Sequence, residues 1–240
     1  MNENKNSLDL SGYGTYCGGE FYKVNISGKC SVSGNIDCDR FDVSGMGKVD
    51  GDVNSKNLSI SGMCTIDGDV ESNTIDVSGS LKLNKNVNID DLDVSGIMKI
   101  KGKLQANEAK CEGYLKVDGD IECETLDLLG IIKNEGFINC EDLYVQVSGE
   151  CSCNEIGASS INIEGKSSSI FNMLMPKKLR NKVLTASLIE GDDIKLENCE
   201  VKVVRGKNIK IGQNCKIDTI EYSQNIEVDE KSIVKQVNKL

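Results

Sequence analysis

The sequence predicts an all-β solenoid, in which the chain winds into triangular coils of about 17 residues with three short strands per coil. Three features support this fold. One pattern recurs every 17 residues from Val24 to residue 142, apolar and polar residues alternate within each repeat, and glycines hold fixed positions. Alternation with a period of two is typical of strands that bury one face, and glycine marks the points where the chain turns.

The repeat is visible as columns of equivalent residues. The first apolar column reads Val24, Phe41, Leu58, Ile75, Leu92, Ala109, Leu126 and Leu143. Four residues further on, every position is glycine: Gly28, Gly45, Gly62, Gly79, Gly96, Gly113 and Gly130. A second glycine column, interrupted by Lys85, comprises Gly34, Gly51, Gly68, Gly102, Gly119 and Gly136. One coil cannot bury its apolar face alone, so neighbouring coils must stack.

The regularity of the pattern divides the chain into segments. We expect a disordered N-terminus at residues 1–7, a main solenoid at 8–165, and a basic insertion, either a loop or a short helix, at 166–182. The alternating pattern returns at residues 183–234, which we interpret as a continuation of the solenoid, and residues 235–240 as a polar tail.

Composition argues against several classes of function. The chain has a net charge of −10 and no histidine, and no nucleophile–base pair or phosphate-binding loop stands out. We therefore expect no enzyme activity, no cofactor, no small-molecule substrate and no nucleic-acid partner. The eleven cysteines, with no secretory signal and no apolar run long enough to span a bilayer, predict a cytoplasmic protein with reduced thiols.

Two sets of residues could bind metal, but each has a simpler interpretation. Cys151 and Cys153 are closely spaced but lack a second pair for zinc, and cysteines elsewhere share the inward phase of the repeat, which favours interior packing. Recurrent aspartates occupy outward positions: Asp50, Asp52, Asp67, Asp69, Asp118 and Asp120. Calcium-binding rolls use a nine-residue period, so we interpret this column as a solvated, mutually repelling face.

The 166–182 insertion combines apolar and basic side chains. This mixture is typical of segments that dock on an anionic membrane or on a partner protein, although a basic loop covering the side of the solenoid would look the same. The candidate contact residues are Phe171, Met173, Leu174, Lys177, Lys178 and Arg180.

The glycine-cornered repeat, for example LSISGMCTIDGDVESNT, resembles that of the bactofilins, polymer-forming cytoskeletal proteins of bacteria. The stretch from Ile189 to Asn208 and the motif Ile211–Cys215 are similar to a longer, Gram-positive group of bactofilin-like proteins. This resemblance implies a right-handed triangular β-helix, nucleotide-independent polymerisation, and a role in cell shape, envelope organisation or motility. It also implies contacts with envelope proteins or with the inner face of the cell membrane.

Self-assembly through the end coils is the leading functional hypothesis, because each end coil of a solenoid exposes strand edges and an apolar cross-section. The partner would be the protein itself, or a paralogue. The alternative is a rigid scaffold with capped ends that binds envelope or motility proteins. The candidate assembly contacts are Leu8, Leu10, Phe21, Tyr22, Ile220, Tyr222, Ile226 and Val228.

Overall fold

The computed structural model describes residues 6–165 and 182–240. Every helix or strand in these residues is a strand, and all the strand pairings cited below are parallel. The chain divides into two compact units, Met1–Gly119 (unit 1) and Asp120–Leu240 (unit 2). The predicted all-β solenoid is confirmed: in each unit, parallel strands stack on equivalent strands roughly one repeat away.

Unit 1 contains thirteen strands among its described residues. They are β1 (Ser7–Leu10), β2 (Tyr13–Ile26), β3 (Lys29–Val43), β4 (Met46–Val49), β5 (Val53–Ile60), β6 (Met63–Ile66), β7 (Val70–Val77), β8 (Ser80–Leu83), β9 (Val87–Val94), β10 (Ile97–Ile100), β11 (Leu104–Gln105), β12 (Glu108–Cys111) and β13 (Tyr114–Val117).

The strand register of unit 1 follows the 17-residue repeat. Met46 pairs with Met63, and Leu58 pairs with Ile75. β5 pairs with β7 on either side of Lys56 but not at Lys56 itself, so this element comprises two short strands joined at a corner. With β4, they make the predicted three strands per coil.

The core of unit 1 consists of the inward columns of the repeat. Phe41, Ile60 and Ile66 are at most 1% exposed, and the residues between them along each strand face outward. Each buried aliphatic or aromatic side chain contributes roughly 1.5–3 kcal/mol to folding. The core is therefore continuous from coil to coil, as the alternating pattern predicts.

The first glycine column is required because successive coils approach closely at this corner. A Cβ atom on Gly62 would collide with the main-chain carbonyl oxygen of Gly45, one coil earlier, and a Cβ on Gly79 would collide with that of Gly62. These glycines do not have positive φ angles. The reason for glycine is thus the space that a side chain would need, rather than an unusual backbone conformation.

The recurrent aspartates have a structural role that the sequence analysis did not predict. Asp52 Oδ1 accepts a hydrogen bond from the main-chain N–H of Asp69 at 2.9 Å, and Asp69 Oδ1 accepts one from that of Asn86 at 3.0 Å. Asn86 Oδ1 in turn accepts from the N–H of Lys103 at 3.0 Å. These side chains join adjacent coils as a ladder at the second corner, so repulsion alone does not explain the column.

Unit 2 contains eight strands among its described residues. They are β14 (Ile121–Glu122), β15 (Thr125–Leu128), β16 (Ile131–Val147), β17 (Glu150–Gly165), β18 (Val183–Leu196), β19 (Cys199–Ile211), β20 (Lys216–Val228) and β21 (Ile233–Lys239).

The stacking in unit 2 continues on both sides of the 166–182 segment. Cys151 in β17 pairs with Leu184 in β18, and β18 to β21 then stack in order. Residues 235–239 were expected to form a polar tail, but they belong to β21, which pairs with β20 from Lys216 to Tyr222. Their backbone hydrogen bonds compensate for their polar side chains.

Candidate assembly surfaces

The N-terminal end of unit 1 has an open strand edge. Among the described residues, β1 pairs only with β2, through Leu8 with Val24 and Leu10 with Ile26. The first half of β2, residues 13–21, pairs only with β3. Outward-facing N–H and C=O groups of such an edge can accept another strand.

Aromatic rings partly close this end of unit 1. Gly14 and Gly19 occupy inward positions in the register of β2, where later coils carry apolar side chains. The ring of Tyr16 lies 3.4 Å from the place where a Cβ of Gly14 would be, and the ring of Phe21 lies 3.6 Å from that of Gly19. Both aromatic residues are only half-buried, so they cover the core and still face solvent.

The structure distributes the predicted N-terminal contacts differently. Leu8 and Phe21 are half-buried at the end of the unit, whereas Leu10 is only 2% exposed. Tyr22 is 59% exposed but its side chain alternates with that of Phe21 and faces outward from the side of the coil. Leu8 and Phe21 therefore lie at the end surface, while Tyr22 lies beside it.

At the C-terminal end of unit 2, β21 covers part of the last coil. Ile217 pairs with Val234, and Ile220 pairs with Val237. Ile220 is consequently 0% exposed, whereas Val237 is 48% exposed. The prediction that Ile220 forms part of an assembly surface is wrong for this reason, and Val237 takes its place at the outer layer.

The remainder of the last coil is uncovered. Residues 225–228 of β20 pair with β19 on one side, and β21 pairs with residues 216–222 only. Ile226 is therefore half-buried and Val228 is 44% exposed, although their equivalents in β19, Ile209 and Ile211, are buried. An apolar, inward-type side chain and an unpaired strand edge thus occur together here.

Tyr222 lies beneath the final residues of the chain. Its carbonyl oxygen accepts a hydrogen bond from the main-chain N–H of Leu240 at 2.8 Å, and the Lys239 ammonium lies 5.9 Å from the centre of its ring. Leu240 itself is 69% exposed. Val237 and Leu240 are the end residues that the sequence analysis missed, because it treated 235–240 as a tail.

The cysteines mostly contribute to packing. Nine of the eleven are buried, Cys17 is exposed and Cys123 is intermediate. Burial raises the pKa of the Cys64 thiol to about 12, and it also raises the pKa of Cys153. Protonated buried thiols are poor nucleophiles and poor metal ligands.

Within residues 6–165 and 182–240, no group of three or more cysteines, aspartates or glutamates is arranged to hold a metal ion. The same residues contain no helix long and apolar enough to cross a membrane. The proposed docking residues of the insertion, from Phe171 to Arg180, lie outside the described part of the chain.

Comparisons with known proteins agree with the repeat and the fold. Residues 19–88 match the model of the bactofilin family, described as polymer-forming cytoskeletal. Two proteins of Bacillus subtilis (strain 168) are similar: uncharacterized protein YhbE is 38% identical over 94 residues, and uncharacterized protein YhbF is 42% identical over 86 residues. These alignments cover 39% and 36% of this chain, and 38% and 34% of the relatives. No solved structure matches significantly.

Proposed function

Because residues 19–88 form a bactofilin domain in a polymer-forming cytoskeletal family, we propose that this protein is a structural component that polymerises through its end strands without a nucleotide. The observation that carries the proposal is the uncovered end of unit 2, where Val228 and Val237 remain exposed beside unpaired strand edges. Its cellular role would be in cell shape, envelope organisation or motility, in the cytoplasm or at the inner face of the cell membrane.

Strand edges and apolar inward columns favour stacking by another solenoid end. A second coil placed on residues 225–228 would pair their free N–H and C=O groups and bury Ile226 and Val228 in the same way that β20 buries Ile209 and Ile211. Contact between an N-terminal and a C-terminal end is heterologous, and such contacts propagate into fibres. A paralogue with an equivalent end coil could occupy the same position.

A capped, non-polymerising scaffold is the second candidate. The rings of Tyr16 and Phe21 over Gly14 and Gly19 favour it, because they cover the core at the N-terminal end. Such a scaffold would bind envelope or motility proteins through its lateral faces.

Negative-stain electron microscopy of the untagged chain at low micromolar concentration, with no nucleotide, distinguishes the two candidates. We expect filaments from the wild type, and we expect Val228→Asp and Val237→Asp each to abolish them, because a carboxylate cannot be buried there without a partner. Circular dichroism should show that both variants keep their β structure.

Ile233→Asp is the matched control. Ile233 is 62% exposed on the same strand as Val237, but it pairs with the exposed Lys216 and faces outward. This variant should still form filaments. Short discrete particles from the wild type at every concentration, or intact filaments from both end variants, would rule out assembly through this end.

A further inference from the structure

One lateral face of unit 1 carries a row of exposed apolar side chains. Strand register aligns one outward position in successive coils: Tyr13, Lys29, Met46, Met63, Ser80, Ile97 and Tyr114. Tyr13, Met46, Met63 and Ile97 are 84%, 42%, 55% and 45% exposed. Among the described residues of unit 1, the only other large apolar side chain with comparable exposure is Tyr22.

A row of lysines runs beside the apolar row. Two residues further along the same strands, the aligned outward positions are Thr15, Ser31, Lys48, Thr65, Lys82, Lys99 and Lys116. With Lys29, the two rows contain five lysines and no acidic residue, in a chain whose net charge is −10. We call these two rows together the lysine–methionine face.

The other two sides of the same coils have the opposite character. Outward residues of the second strand include Asp37, Asn54, Glu71 and Asn88, and those of the third strand include Asp42, Asp76 and Asp93. None of these positions holds an exposed large apolar residue. The positive and apolar character is thus confined to one side of unit 1.

Acidic residues at the adjoining corner neutralise two of the five lysines. Lys48 Nζ lies 2.9 Å from Asp67, and Lys116 Nζ lies 2.8 Å from Asp118. Lys29 and Lys99 are instead close to tyrosine rings, 5.9 Å from the centre of Tyr13 and 6.0 Å from that of Tyr114. Cations beside aromatic rings at a flat apolar surface are arranged as at a membrane interface.

We propose that the lysine–methionine face binds the surface of an anionic lipid membrane. Each lysine near an anionic bilayer contributes about 1 kcal/mol, and the neighbouring methionine, isoleucine and tyrosine side chains add apolar burial at the headgroup boundary. Seven coils at the usual strand spacing make this face roughly 30 Å long. The acidic sides lie mostly beyond the Debye length of about 8 Å and are screened from the lipid.

A lipid surface fits this face better than a second copy of the chain. The acidic sides of unit 1 could attract the lysines of another copy, but among the described residues they offer no exposed apolar row to cover Met46, Met63 and Ile97. A bilayer supplies both negative charge and an apolar layer. The proposal is independent of polymerisation and uses different residues.

Flotation of the full chain with vesicles in a density gradient tests the proposal, because filaments alone do not float. The wild type should float with phosphatidylcholine vesicles that contain phosphatidylglycerol, and should not float with pure phosphatidylcholine. Lys82→Glu/Lys99→Glu should weaken the binding at least about tenfold, as expected for two lost lysine contacts. Met63→Ser/Ile97→Ser should also weaken it, because the apolar contribution is lost.

The control variant Lys103→Glu/Lys110→Glu makes the same change in net charge on the other sides of unit 1 and should float like the wild type. Equal binding by the two lysine variants would overturn the proposal, and so would a wild type that binds neither vesicle. Loss of binding in Lys177→Glu/Lys178→Glu but not in Lys82→Glu/Lys99→Glu would assign the contact to the insertion. Filaments of Lys82→Glu/Lys99→Glu in the microscope should be unchanged, which separates this result from the fate of the proposed function.

Discussion

Units 1 and 2 stack parallel strands by different means. In unit 1, the register repeats at 17 residues and the coils meet at corners where only glycine fits, such as Gly62. In unit 2, strands of 13 to 17 residues continue through the corners, and the repeat varies: 15 residues separate Leu184 from its partner Cys199, and 16 separate Glu200 from Lys216.

The contacts between coils differ accordingly. Unit 1 uses a ladder of asparagine and aspartate side chains that accept hydrogen bonds from the next coil, as at Asn86. Unit 2 relies more on ion pairs between coils, and Arg205 contacts Glu190 at 3.2 Å and Glu221 at 2.7 Å. Identical coils can approach closely everywhere, whereas coils of unequal length require longer side chains to connect them.

Substitution of the corner glycines should give the largest difference between the units. In unit 1, Gly62→Ala forces the new methyl group against the backbone of Gly45, which cannot move without shifting the whole stack, and should cost about 3 kcal/mol of stability. In unit 2, Gly149→Ala meets only the end of the Ile131 side chain, 3.0 Å away, and should cost less than about 1 kcal/mol. Urea unfolding followed by circular dichroism measures both.

A further control lies within unit 1 itself. A Cβ on Gly12 would have no atom within 4 Å, so Gly12→Ala should be tolerated. If Gly62→Ala were as stable as Gly12→Ala, close coil approach would not be the reason for the glycine column.

The fold of unit 1 could be predicted from sequence because one physical rule repeats without change. Inward columns such as Phe41 and Leu58, and the glycine corners, reflect the same steric requirement in every coil. The aspartate ladder could not be derived in this way. Its bonds depend on the position of a main-chain N–H one coil away, and the residue types alone fit a solvated face equally well.

The candidate surfaces were only partly predictable. Val228 was identified because it continues an apolar column, but Ile220 was misplaced, since the polar residues of 235–239 hid the strand that covers it. The lysine–methionine face had a visible signal: the residue after each corner glycine is Met46, Met63 or Ile97 in three of the repeats. The signal was overlooked because exposed apolar residues matter only when the register aligns them.

The aspartate and asparagine ladder should give an effect of intermediate size. Asn86→Ala leaves the main-chain N–H of Lys103 without its side-chain acceptor and should cost about 1 kcal/mol, with little dependence on salt. Asn86→Asp keeps an acceptor oxygen and should restore most of this loss. Thermal melts at low and high ionic strength provide the measurement, and equal losses in both variants would show that Oδ1 has no role in joining the coils.

The ion pairs of unit 2 should give the smallest effect, but one that depends on salt. Arg205 is 44% exposed, and its hydrogen bond to Glu221, together with both carboxylates, raises the pKa of its guanidinium. Exposed pairs contribute at most about 1 kcal/mol, so Arg205→Met should lower stability by no more than this at low ionic strength. Because the Coulomb attraction is screened by salt, the difference from the wild type should shrink as salt is added, whereas that of Asn86→Ala should not. A loss for Arg205→Met that persists at high salt would mean that Arg205 stabilises unit 2 by packing its aliphatic stem, and the distinction between an amide ladder in unit 1 and a charge ladder in unit 2 would fail.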